Sequence, residues 1–184
     1  MKKTLTLFIL IVTVLACREE SKSSISDIKE ESKASVEKVV DSIEKKPEII
    51  NEDPFKSIKS LKEELTAKGF KTFDYVDEET KDTILMQQYF IAFLKRGPIR
   101  GQNEEETAEL QEAHLAYLSK MYELGYADIS GPFGDDGDIR GITIYNVATQ
   151  KMADSLANAD PMVKSGRLVI EIHPWWAAKG FPLR

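Results

Sequence analysis

Cysteine occurs once in the 184 residues, as Cys17. A lone cysteine rules out an internal disulfide framework and a cysteine-rich zinc site, so the fold must stand on packing. Histidine occurs twice, as His114 and His173. His173 has only Glu171 near it at ligand spacing, so no metal site is expected. Basic character is also scarce. Lys and Arg number 25 against 31 Asp and Glu, for a net charge of −6. The aromatics do not interleave with a Lys/Arg stripe, which argues against nucleic-acid binding. There is no glycine-rich phosphate loop and no G-x-S-x-G elbow. Asp135, Asp136 and Asp138 lack the distal Glu of a calcium loop and read as a polar hairpin turn. What remains is the composition of an ordinary soluble protein, long enough for one domain with appendages.

The first seventeen residues read as a processing signal. Lys2 and Lys3 supply a positive start, and Leu5 to Ala16 is an uncharged, nearly all-apolar stretch. Its twelve residues suit a secretory signal and are too short to span a bilayer as a helix. Val14-Leu15-Ala16-Cys17 resembles a bacterial lipobox, with Cys17 as the lipidated residue. An ordinary signal peptide, or a short core helix with Cys17 incidental, is the alternative. Loss of Lys2 and Lys3 takes the net charge from −6 to −8. Each acyl CH₂ buried in lipid contributes about 0.8 kcal/mol, so several chains on one cysteine hold the protein to a bilayer. Arg18 is not the Asp of an inner-membrane retention signal, which points to the outer membrane of a bacterial cell envelope.

Residues 18–53 form a tether. Half of these 36 residues are charged, seven are Ser and none is aromatic. Such a segment buries too little apolar surface to offset its ordering entropy. Val36, Val39, Val40 and Ile43 show helical spacing and allow a short amphipathic helix within it. As a coil the tether spans roughly 30–36 Å.

Residues 54–87 read as a helix and hairpin extension. Asp53-Pro54 is a helix start, followed by Phe55, Ile58, Leu61 and Leu65 at helical spacing and Gly69 as the stop. Phe70 to Val76 alternates as a strand, and Asp77 to Thr80 turns it back. Thr83 to Lys95 is a long strand closed by Gly97-Pro98. A helix is possible there by length, but its β-branched and aromatic residues favour the strand. Glu104 to Gly125 is the clearest helix, with Leu110, Ala113, His114, Tyr117, Leu118, Met121 and Leu124 on one face. Strands follow at Tyr126 to Phe133 and Ile139 to Val147. A helix capped by Thr149 runs to about Ala159. A last strand covers Leu168 to Ile172 and ends in His173-Pro174-Trp175-Trp176. From Gln88 the order is β-α-β-β-α-β, a ferredoxin-like α+β domain over residues 88–184. Its sheet has both helices on one face. The other face needs a cover, either a second copy in a homodimer or the N-terminal extension.

Three segments carry a likeness: Ala113 to Phe133 (AHLAYLSKMYELGYADISGPF), Ser155 to Leu168 (SLANADPMVKSGRL) and Val169 to Trp175 (VIEIHPW). Together, over about residues 88–181, they resemble the YCII-related domain family. The resemblance implies a dimeric α+β barrel. It also implies a His–Asp pair in the site, here His114 and Asp160, with Ser130 to Pro132 nearby. The N-terminal extension and lipid anchor depart from the simplest members of that family.

His114 lies on an apolar face, where a histidine is either a satisfied core residue or a base near neutral pH. A carboxylate partner would fix its tautomer and stabilise its cation. Asp160 precedes Pro161 and is suited to cap a short helix over Pro161 to Lys164, a role compatible with pairing to His114. Ser130 and Trp175 are candidate substrate contacts; Trp175 suits an aromatic pocket or a dimer interface equally. Two functions follow. One is a small hydrolase-, lyase- or isomerase-like enzyme using His114 and Asp160, with no cofactor. The other is a non-catalytic module that binds a small molecule or a protein. A purely structural lipoprotein is a third.

Overall fold

The computed structural model describes residues 56–183. The signal segment with Cys17, the tether and the expected cap at Asp53 lie outside them. In chain order the elements are α1 (Ile58–Ala67), β1 (Thr72–Val76), β2 (Thr83–Arg96), α2 (Glu104–Glu123), β3 (Ala127–Pro132), β4 (Ile139–Tyr145), α3 (Gln150–Asn158), α4 (Pro161–Lys164) and β5 (Leu168–Ala178). The ferredoxin-like α+β reading holds.

β2 organises the sheet. β5 lies along one edge of it, from Met86↔Ala178 to Arg96↔Leu168. Its other edge is shared end to end by β1, opposite Thr83 to Gln87, and β4, opposite Phe90 to Lys95. β3 pairs outside β4. The four-stranded order is therefore β5-β2-β4-β3, antiparallel throughout, as a split β-α-β pair requires.

The face that β2 buries changes partway along the strand. Phe90, Ala92 and Leu94 are buried on the side of the main helices. Phe90 and Ala92 join Tyr117 and Met121 of α2, Tyr145 of β4, and Ala153, Leu156 and Ala157 of α3. Leu94 joins Leu110, Met162 and Leu168 in a second cluster. Toward the start of β2 the buried residues are Leu85, Gln87 and Tyr89, which face the opposite way. α1 covers that end. Lys62 pairs with Asp74, and the Thr66 hydroxyl meets that of Thr72 at 3.3 Å; Asp74 and Thr72 stand opposite Leu85 and Gln87. The fully buried Gln87 amide is satisfied on both sides. Tyr89 O–H donates to its Oε1 at 3.3 Å, and its Nε2 donates to Asn146 Oδ1 at 2.7 Å. Past α1 the same face is open. Ile91, Phe93 and Ile142 are half-buried there, and Val169 is exposed.

Two boundaries differ from the sequence expectation. α1 does not start at Asp53-Pro54: Ser57 is extended (φ −66°, ψ 148°), and its hydroxyl accepts from the Ser60 N–H at 3.2 Å. A later residue of equal capping ability takes the role. β5 does not end at Ile172 but runs to Ala178, so His173 to Trp176 lie within it. β5 is an edge strand, where Pro174 can turn its missing N–H outward without breaking a ladder bond. α2 also carries a cap that the sequence reading missed. Asn103 Oδ1 accepts from Glu106 N–H at 2.9 Å while Glu106 Oε2 accepts from Asn103 N–H at 3.1 Å. Just past β2, position 97 needs glycine for a steric reason: a Cβ there would stand 2.2 Å from the Gly166 carbonyl oxygen.

Among the described residues, one buried side-chain polar atom has no hydrogen-bond partner, the Tyr126 hydroxyl. An unpaired buried donor costs about 1–3 kcal/mol. Tyr126→Phe is therefore expected to hold or raise stability, by up to about 1 kcal/mol after allowance for the small void. Urea unfolding measures this, and a loss of more than about 1 kcal/mol would show a partner for the hydroxyl.

Candidate active site

α2 brings His114 inward because Leu110, His114, Tyr117 and Met121 form one buried stripe at helical spacing. Leu110 sits over one core cluster, Tyr117 and Met121 over the other, and His114 lies between them. Asp160 arrives from the other side. α3 ends at its C-cap Ala159, Asp160 takes extended angles (φ −60°, ψ 132°), and Pro161 opens α4. Proline at the first helical position fits because no N–H is needed there.

The Asp160 carboxylate, 3% exposed, is shared between two tasks. Oδ1 accepts from the Met162 N–H at 2.8 Å and caps α4. Oδ2 lies 2.7 Å from His114 Nδ1. Since an ionised carboxylate only accepts, Nδ1 carries the proton in this contact, and in the neutral ring Nε2 then keeps its lone pair. Nε2 has no protein partner among the described residues, yet it is not one of the sealed polar atoms. The ring is thus buried, oriented and still reachable at one nitrogen.

Two phenols that the sequence reading had not singled out for the site belong to this surrounding. Tyr117 O–H donates to the Leu156 carbonyl at 2.6 Å, tying α2 to α3. Burial pushes its phenol up, with the Asp160 charge adding to the effect. Tyr145, at the end of β4, is raised well above the ordinary tyrosine value by burial, with Tyr117 and Asp160 contributing. The spacing of Tyr117 from His114 by one helical turn was the available signal; nothing local marked Tyr145.

Ser130 lies on the helix-bearing side, paired with Thr143, and their hydroxyls meet at 3.0 Å. Trp175 stands elsewhere. It pairs with Tyr89 on the opposite face of the sheet, ring centroids 6.2 Å apart. There Tyr89, Ile129, Ile144 and Trp175 line a cavity of about 580 Å³, bounded also by residues 177–183. His173 faces the same way. Its Nε2 meets Glu171 Oε1 at 2.7 Å, and Lys95 donates to Glu171 Oε2 at 3.2 Å. These two contacts hold the Glu171 carboxyl below the usual carboxylate range. Among the described residues no three His, Cys, Asp or Glu side chains converge to hold a metal ion.

Residues 91–176 match the family model for the YCII-related domain. That span includes His114, Ser130, Asp160 and Trp175. No curated protein matches the chain. Among solved structures, the chain is similar to 5-chloro-2-hydroxyhydroquinone dehydrochlorinase from Burkholderia phenoliruptrix, in complex with 2,5-dihydroxybenzoquinone. The identity is 23% and the TM-score 0.36, over 47% of this chain and 92% of that one.

The double use of Asp160 separates two substitutions. Asp160→Ala loses the cap and leaves the ring N–H unpaired, an expected loss of about 3 kcal/mol. Asp160→Asn keeps an oxygen for the Met162 N–H and turns its NH₂ toward the ring, which drives the proton from Nδ1 to Nε2. Urea unfolding with ¹⁵N NMR of the ring tests both. An Asn variant as unstable as the Ala variant, or with an unchanged tautomer, would contradict this assignment.

Proposed function

We propose that this protein is a lipid-anchored envelope enzyme performing general acid/base chemistry on a small molecule, with His114 as base and Asp160 as its orienting partner. The observation that carries this reading is the 2.7 Å contact from Nδ1 to a carboxylate whose other oxygen is committed to a helix cap. The cap pins the carboxylate, the carboxylate pins the ring, and Nε2 is left bare. A base needs that arrangement: a fixed tautomer, a nearby charge for the imidazolium, and a free lone pair. The chemistry suits a hydrolase, lyase or isomerase and calls for no cofactor.

A second reading is a non-catalytic binding module. It is favoured by the cavity around Tyr89 and Trp175, which lies on the other face of the sheet from the dyad and is within the usual size of a ligand pocket. His114→Ala separates the two. Turnover in a panel of hydrolase, lyase and isomerase substrates, followed by mass spectrometry, is expected to fall roughly a hundredfold or more. Unchanged turnover in that variant removes His114 as the base. Ligand binding that persists without any turnover in the wild type selects the binding module.

The envelope address is proposed from Lys2, Lys3, the apolar stretch and Cys17, and homodimerisation from the half-buried Ile91, Phe93 and Ile142 on the open sheet face. Cys17→Ala is expected to shift the protein from the membrane to the soluble fraction. Sedimentation of that soluble form is then expected to give twice the chain mass. A wild-type chain already in the soluble fraction refutes the anchor, and a monomeric boundary refutes the dimer.

A further inference from the structure

Several hydroxyls lie on the helix-bearing side of the sheet, as the dyad does, and most are spent or sealed within the protein. Tyr117 O–H is spent on the Leu156 carbonyl. The Tyr126 hydroxyl is sealed away from solvent. Ser130 and Thr143 hold each other. Tyr145 differs from all four. The residue is 2% exposed, its hydroxyl has no protein partner among the described residues, and that hydroxyl is not sealed. It stands at the end of β4, on the helix-bearing side with Phe90 and Ala127, in the core cluster that also holds Tyr117 of α2 and Ala159, the residue before Asp160. Two unsealed, unpartnered polar atoms thus lie on the helix-bearing side of the sheet: His114 Nε2, an acceptor in the neutral ring, and the Tyr145 hydroxyl, a donor.

We infer that Tyr145 donates a hydrogen bond to the oxygen of a small carbonyl substrate whose adjacent C–H is deprotonated by His114. This rests on the general-base reading above and narrows it. Removing a proton from carbon leaves an electron pair that must travel to the carbonyl oxygen, so a base alone is insufficient. Neither His114 nor Asp160 has a lysine or arginine partner among the described residues. A neutral donor suits that oxygen, and a phenol in a water-poor site serves well because it needs no reorganisation. Burial keeps that phenol protonated, which is the form that donates.

The step balances without a further reactant. The C–H bond breaks and its proton passes to Nε2, giving an imidazolium paired with Asp160. The electron pair forms a C=C bond, and the carbonyl π pair moves to the oxygen held by Tyr145. The imidazolium then returns the proton to the same carbon, or to a neighbouring one in an isomerisation. If the carbon next to the new double bond bears a leaving group, that group departs with its electron pair and the reaction is an elimination. Hydrolysis, by contrast, breaks no C–H bond and passes through no enolate.

The test is solvent exchange with the full chain. Wild-type protein, Tyr145→Phe and His114→Ala are each incubated in D₂O with 2-oxobutanoate, dihydroxyacetone and cyclohexane-1,2-dione, and loss of the C–H signal is followed by ¹H NMR. Wild type is expected to accelerate exchange of at least one probe. Tyr145→Phe is expected to lower kcat for exchange roughly tenfold or more with little change in KM, since the bond strengthens as charge develops. Its melting temperature reports whether the fold is intact. In parallel, 4-nitrophenolate, an enolate mimic, is expected to bind wild type and to bind Tyr145→Phe roughly tenfold more weakly, read from its visible absorption. Exchange and 4-nitrophenolate binding that survive Tyr145→Phe, while His114→Ala abolishes exchange, overturn the Tyr145 assignment and leave the dyad standing. Exchange that survives His114→Ala overturns the base reading itself. No exchange of any probe by wild type overturns the carbonyl substrate class.

Discussion

The carboxylate of Asp160 is the constraint on which the site depends. It is buried, and a buried charge is tolerated only when it is well paired and hydrogen-bonded. Met162 N–H and His114 Nδ1 meet that condition from opposite sides. The first bond belongs to local structure, since it starts α4. The second is long-range, because the two residues are 46 positions apart. One side chain thus closes the α3–α4 break and locks that break to the middle of α2. Tyr117 repeats the device one turn along, bonding α2 to the Leu156 carbonyl of α3. The helix layer is held together by polar contacts at two points, with apolar clusters on either side of them.

Packing explains why these polar groups can stay wet at one atom and dry elsewhere. His114 falls where the two core clusters meet, between Leu110 and Tyr117. A side chain at such a seam is screened by neighbours yet is not sunk in a single continuous core. The same reasoning applies to Tyr145, whose ring joins the larger cluster while its hydroxyl remains unsealed at the end of β4. The Tyr126 hydroxyl shows the contrast: it lies wholly inside that cluster and finds nothing to bond.

Much of this was legible in the residues. The order from β2 to β5 follows from alternation in Thr83 to Lys95, the apolar stripe of α2, and the caps Thr149 and Asp160, because those signals are local. The His–Asp pair was legible only through the family likeness, since 46 positions of separation leave no local trace of a contact. The end of β5 was not legible: Pro174 reads as a strand breaker until the strand is known to lie on a sheet edge. Nor was the start of α1, where Asp53 and Ser57 are equally good caps by residue type. Trp175 was grouped with the site residues, and only strand register reveals that it turns to the other face. Tyr145 was invisible as a site residue, because a tyrosine at a strand end carries no sign of whether its hydroxyl is spent.

The register of β2 has a wider consequence. By burying Leu85, Gln87 and Tyr89 on one face and Phe90, Ala92 and Leu94 on the other, a single strand serves two layers. α1 shelters the first set, and the main helices shelter the second. The open stretch of sheet beyond α1 begins where the first set ends, and the cavity beside Trp175 lies at that boundary. The dyad is on the far side of the same strands. Whatever covers the open face therefore touches β2 directly while remaining a full sheet thickness from His114. The buried His–Asp pair and the open stretch of sheet thus lie on opposite faces of the same strands.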